Sequence, residues 1–136
     1  MRRPRTRGAA VAVWSDGHVL LVKTSYRRHY SLPGGFVKRN EPPERAASRE
    51  LMEEVGLSVP AERLVAAWEG TEAFEHHHDT LTIFEAPGAL RGSTPHFHAN
   101  GRELVWIGWR TADEARALLL LPHVRRYLEG RAPRST

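Results

Sequence analysis

The chain has 136 residues, a formal net charge of +4, 40% hydrophobic and 26% charged residues, and no cysteine. This is room for one domain built on one sizeable core, and the missing thiols exclude disulfides and thiolate metal sites. The basic balance suits anionic partners, whether phosphorylated small molecules, nucleic acid or a membrane surface, although a solvated basic surface has the same composition.

No apolar run approaches the ~20 residues of a membrane span, and the basic N-terminus lacks the apolar stretch of a secretory signal. A cytoplasmic protein with no membrane partner is therefore expected. Residues 1–8 and 131–136 are basic and rich in proline and glycine. They are expected to be flexible tails on a single domain spanning 1–136.

The runs Ala9–Ser15 and His18–Thr24 flank Asp16-Gly17, which predicts a β-hairpin. The basic loop "SYRRHYSLPGG" follows, then a short extended "FV". Pro42 and Pro43 suit a helix start, and the run from there to Val55 is rich in helix formers. Gly56 suits the residue just past the helix end. Ala47, Leu51 and Val55 would form the buried stripe. Strands are predicted in "ERLVAAWEG", "DTLTIFEA" and "ELVWIGW". Thr111–Glu114 matches a capping box ahead of a helix in "ARALLLL". Pro122 would break or restart that helix, and "PHVRRYLEG" would form the last helical piece. Strands alternating with helices predict an α/β or α+β layered domain with helices on a mixed sheet.

The helix through Val55 ends in an unusual way. Glu50, Glu53 and Glu54 are neighbours at i,i+3 and i,i+4, on an arc bordering the buried stripe, with Glu54 nearest to it. Like-charge pairs at this spacing cost about 0.2–0.5 kcal/mol each. Acids in the last turn oppose the macrodipole by about 0.3–1 kcal/mol each, and Arg49 offsets little of this. A divalent cation would remove the conflict, because Mg²⁺ takes hard oxygen ligands together with substrate phosphates and water. On the stripe alone, a metal–phosphate site and a solvated acidic face both stand.

The longer segment "GFVKRNEPPERAASRELMEEVGL" resembles the Nudix box of the MutT-like hydrolases. Gly35 is followed after five residues by Glu41, and after seven more by Arg49-Glu50-Leu51. Glu53-Glu54 and Gly56-Leu57 then follow, each after one intervening residue. The resemblance extends loosely over nearly the whole chain. It implies a Nudix fold, an α/β/α sandwich with a mixed sheet. It also implies a Mg²⁺- or Mn²⁺-dependent pyrophosphohydrolase that cuts a nucleoside diphosphate linked to another group, by water attack on phosphorus. Glu50 and Glu54 would be the main metal ligands, and Glu53 a further ligand or the base that orients the water. The Gly34 carbonyl would complete the ligand set. Arg49 would hold a glutamate, Glu41 would stabilise the loop–helix junction, and Gly35 and Gly56 would be structural. A homodimer is a further expectation.

Relatives often carry an acid and a glycine in the loop where this chain has Lys38 and Asn40. Lys38 would touch substrate phosphate or point to solvent. Arg27, Arg28 and His29 are candidates for phosphate contact. Tyr26, Tyr30, Phe74 and Trp68 are candidates for base stacking, with packing the simpler role for Trp68. Glu103 is a candidate late metal ligand or an exposed acid at a strand start. Glu72 and Glu75 are candidate bases set against plain surface charge. His76, His78, His96 and His98 invite a zinc reading, but zinc needs four converging ligands, and solvated or substrate-contacting histidines are expected. No subgroup signature follows the box, so the substrate stays open between a nucleoside triphosphate, ADP-ribose and a nucleotide sugar. A non-catalytic nucleotide-binding module is the alternative outside enzymes. Nucleic-acid binding is not expected, because no helix-turn-helix, RNP-like or zinc-finger pattern is present.

Overall fold

The computed structural model describes residues 5–74, 77–90 and 104–131. Seven strands and three helices follow in order: β1 (Arg5–Ala12), β2 (Trp14–Ser15), β3 (His18–Thr24), β4 (Gly34–Phe36), α1 (Pro43–Val55), β5 (Val65–Phe74), β6 (His77–Glu85), β7 (Leu104–Thr111), α2 (Ala112–Arg116) and α3 (Pro122–Gly130). One sheet has the order β4-β1-β6-β5, and the other β2-β3-β7. The first is mixed. β1 runs parallel to β6 and antiparallel to β4, and β5 is antiparallel to β6.

Side chains on a strand alternate between faces, and the core divides accordingly. Ala9, Val11 and Val13 join Leu20, Val22 and the α1 residues Ala47, Leu51 and Val55 in one cluster. Ala10, Ala12, Val19 and Leu21 join Ala115, Val124, Tyr127 and Leu128 of α2 and α3 in the other. The strands thus lie between α1 on one face and α2 and α3 on the other, which is the expected α/β/α sandwich. Among the described residues no helix is long and apolar enough to cross a membrane.

Helix α1 begins with Pro43 at its first turn and ends at Gly56, whose φ of 77° lies in the left-handed region. There Gly56 donates its N–H to the Met52 carbonyl. The last turn holds no basic residue, so the glutamates face the macrodipole without local compensation from Lys or Arg in that turn. The capping box at Thr111 and Glu114 forms as expected.

Several boundaries differ from the sequence expectation. The run Ala9–Ser15 is not one strand. It breaks at Val13, sending β1 to one sheet and β2 to the other, so the hairpin at Asp16-Gly17 joins only β2 to β3. Residues 5–8, expected in the tail, pair as part of β1. Arg131 is likewise anchored, 3.0 Å from Glu85 Oε2 and with its guanidinium 3.9 Å from the Trp14 ring centre. The segment before β5 contains a 3₁₀ turn at Ala61–Arg63 in place of strand. Helix α2 stops at Arg116, short of the leucine run. Leu121 precedes Pro122, which disfavours helical geometry, and it adopts φ −54°, ψ 141°. Arg125 Nη1 and Nη2 donate to the carbonyls of Arg116 and Leu118 at 3.2 and 2.9 Å, satisfying groups that a continued helix would have bonded.

Candidate active site

Strand β4 is a sheet edge, and α1 lies against it. The Gly34 N–H donates to Glu54 Oε1 at 2.9 Å, so the buried carboxylate of Glu54 is fixed by backbone. At Gly35 the approach is closer still. A Cβ there would stand 2.5 Å from Glu50 Cδ and 2.6 Å from its Oε1, well inside ordinary contact distance. Only glycine lets the Glu50 carboxylate lie flat against this strand.

Arg49 ties the box together. Its Nε and Nη2 donate to Glu41 Oε2 and Oε1 at 2.9 and 3.0 Å, the two-pronged geometry that makes arginine–carboxylate pairs strong. Nη1 donates to Glu50 Oε1 at 2.7 Å, and Nη2 to the Phe36 carbonyl at 3.2 Å. The Arg49 bond, aided by the Lys38 backbone N–H, lowers the Glu41 pKa to about 2. The same bonds, to Glu41 first and then Glu50, raise that of Arg49. One guanidinium thus holds the loop, the helix and a cleft-lining carboxylate in register.

Glu50, Glu54, Gly34 and Gly35 line a cleft of ≈ 260 Å³. Arg27, His29, Tyr26 and Phe36 also line it, as does Asp79. Phe36 and Tyr26 are mostly exposed aromatics, and Arg27 lies over the Tyr26 ring at 5.7 Å.

The remaining sequence candidates are dispersed. Glu53 is exposed on α1, 3.5 Å from Arg49 Nη1, and does not line the cleft. Arg28 and Lys38 are exposed and do not line it either; Lys38 contributes its backbone N–H to Glu41 at 2.9 Å. Tyr30 packs edge-on against Trp106, with ring centres 5.0 Å apart. Trp68 packs on the α3-side core, edge-on to His123. Glu72 pairs with Arg126 at 3.0 Å. His78 is exposed on β6. Glu75, His76, His96, His98, Glu103 and the Phe74 side chain lie outside what the structure describes. Among the described residues no group of three or more His, Asp or Glu side chains converges as a metal cage. Asp79 is a cleft residue that sequence reasoning missed. Its period-two relation to Leu81 and Ile83 was the available signal that it shares their face.

A glycine-edged strand against an acidic helix, with arginine and aromatic side chains around one cleft, is the site that this α/β/α fold builds. The model of the NUDIX domain matches residues 4–129, and the chain belongs to the Nudix family. A MutT-like protein of Streptomyces ambofaciens is 33% identical over 63 residues, 46% of this chain and 41% of that one. An ADP-ribose pyrophosphatase of Mycobacterium tuberculosis is 29% identical over 112 residues, 79% of this chain and 53% of that one. The matched regions thus span about half or less of these two relatives. The crystal structure of a MutT NUDIX hydrolase from Burkholderia pseudomallei superposes with a TM-score of 0.78 at 25% identity, covering 94% of this chain and 98% of that one.

Proposed function

We propose that the protein is a divalent-metal-dependent pyrophosphohydrolase acting on a nucleoside diphosphate linked to a further group. The observation that carries this reading is the pair Glu50 and Glu54, held by Arg49 and by the Gly34 N–H, facing one cleft that Arg27 also lines. The donor set fits Mg²⁺ or Mn²⁺. Two carboxylates supply hard oxygens, and Mg²⁺ sites commonly use one or two carboxylates plus substrate phosphates and water. Glu50 and Glu54 would hold the ion, with the Gly34 carbonyl as a candidate third donor. When bound, such an ion polarises the phosphoryl group and acidifies water.

The chain's own residues supply positioning. Gly35 lets backbone and Glu50 approach each other without a side chain between them. Arg49 fixes the Glu50 rotamer, and Arg27 offers a cation to substrate phosphate. Phosphoryl transfer depends mainly on such positioning and on charge neutralisation. For Glu53 to act as base, its carboxylate must swing from Arg49 toward the cleft. Phe36 and Tyr26 offer exposed rings at the cleft to a base or sugar.

The Mycobacterium tuberculosis relative supports ADP-ribose as the second substrate reading; a nucleotide sugar shares the same anhydride chemistry. The test is a panel of nucleoside triphosphates, ADP-ribose, nucleotide sugars and dinucleoside polyphosphates, with product analysis with Mg²⁺ and with chelator. Metal-dependent release of a nucleoside monophosphate is expected from at least one member. No hydrolysis anywhere would leave a non-catalytic nucleotide-binding module.

A further inference from the structure

Asp79 is a second acidic feature of the cleft, and the glutamate site does not account for it. It lines the same cavity as Glu50 and Glu54 but stands on β6, two strands over from β4. In the sheet register Gly34 faces Ala10, whereas Asp79 faces Thr6. With ~3.3 Å per residue along the strand and ~4.8 Å between strands, the two backbone positions lie roughly 16 Å apart. That span is comparable to an extended nucleoside diphosphate.

Its carboxylate is oriented and leaves acceptor capacity open. Thr6 Oγ1 donates to Oδ1 at 2.5 Å. His123 Nε2 lies 2.8 Å from the Asp79 backbone carbonyl, but 3.6 Å from Oδ2. Among the described residues Asp79 makes no ion pair with arginine or lysine. Other acids of the fold do: Glu41 and Glu50 with Arg49, Glu72 with Arg126, and Glu85 with Arg131. A half-buried carboxylate with an uncommitted oxygen is costly unless a donor arrives. A carboxylate also repels phosphate, so the ligand end that reaches it must lack negative charge and carry hydrogen-bond donors, as an amino-bearing base edge does.

We propose that Asp79 selects the nucleobase of the substrate, accepting hydrogen bonds from an amino- or imino-bearing base edge while the phosphates lie toward Glu50 and Glu54. The inference rests on the nucleotide reading of the cleft. An acceptor-only group admits an exocyclic amine and opposes a carbonyl at the same position. Buried polar groups that would go unpaired are what give such sites their selectivity. Asp79 is then a specificity residue, and its loss should change which base binds more than how fast the anhydride is cut.

The test is calorimetric binding, in Mg²⁺, of 5′-monophosphates in pairs that differ at one amino group: cytidine with uridine, guanosine with inosine, adenosine with purine riboside. Wild-type protein is expected to favour the amino member of at least one pair about tenfold, in line with specific base contacts elsewhere. Asp79→Asn retains an acceptor for Thr6 and should abolish or reverse that preference with the melting temperature nearly unchanged. Wild-type affinities equal within twofold in all three pairs would overturn the proposal without recourse to any variant. An unchanged preference in Asp79→Asn would overturn it as well. Because binding is read, a chain that shows the preference yet hydrolyses nothing refutes the catalytic reading and leaves this one standing.

Discussion

Replacing Gly35 with alanine should separate the site's geometry from the stability of the fold. Gly35 lies in strand β4, where alanine is conformationally acceptable. The added Cβ would stand 2.5 Å from Glu50 Cδ, against about 3.5 Å for a comfortable contact, so the carboxylate must retreat by about 1 Å. It is the end of a flexible side chain, but Arg49 Nη1 holds it at 2.7 Å. A strained rotamer costs about 0.5–1.5 kcal/mol. The reduced freedom of the unfolded chain returns about 0.4–1 kcal/mol. Net stability should therefore change by no more than about 1 kcal/mol. A 1 Å displacement of a positioning group costs about 100-fold in rate, so kcat/KM should fall by about that factor. Urea unfolding and steady-state kinetics on the best substrate of the panel measure the two quantities. Activity within threefold of wild type would refute the claim that the placement of Glu50 against β4 matters for catalysis.

Three further outcomes follow from the same contacts. Arg49→Lys removes the two-pronged hold on Glu41 and cannot reach Glu50 and Phe36 in the same way; steady-state kinetics should show activity reduced about 10–100-fold, the usual effect of losing a partner that orients a metal ligand. Glu41→Gln should alter acid stability. The folded pKa of about 2 lies below the ordinary 4.5, so the ionised group's contribution is fully present above about pH 4.5 and lost as pH falls through about 2. The gap in urea midpoint between wild type and Glu41→Gln should be widest at neutral pH and shrink toward pH 2; a constant gap would contradict the assignment. Saturating Mn²⁺ or Mg²⁺ should raise the melting temperature, since a ligand at 100 times its Kd adds about 2.7 kcal/mol. Thermal scans of Glu50→Gln should show that shift largely lost.

What could be read from the sequence was what local chemistry decides. The α1 boundaries, the Gly56 terminus, the Thr111 capping box and the bordering position of Glu54 all follow from residues within one or two turns of one another. The motif made Gly35 structural, but its closeness to Glu50, and the missing Cβ that permits it, arise from the packing of α1 on β4 and have no local signature. The break at Val13 was hidden because an unbroken apolar run looks the same whether it feeds one sheet or two. The leucine run after Arg116 reads as helix. Yet Leu121 donates its N–H to the Tyr30 carbonyl and Leu119 accepts from the Tyr30 N–H, contacts 89 or more residues apart in sequence. Tyr30 was attractive as a stacking residue because its packing against Trp106 is equally remote. Asp79 reaches the cleft through the parallel pairing of β1 with β6, which no local pattern announces.

The central claim is that the Glu50–Glu54 pair makes this cleft a metal-dependent anhydride hydrolase. Mg²⁺-dependent turnover of wild type and Glu54→Gln, measured side by side on the same substrate, tests it most directly. Glutamine keeps an oxygen to accept the Gly34 N–H and removes only the charge. The expected result is turnover reduced by orders of magnitude, with the melting temperature without metal close to wild type. Undiminished Mg²⁺-dependent turnover in Glu54→Gln would contradict the account.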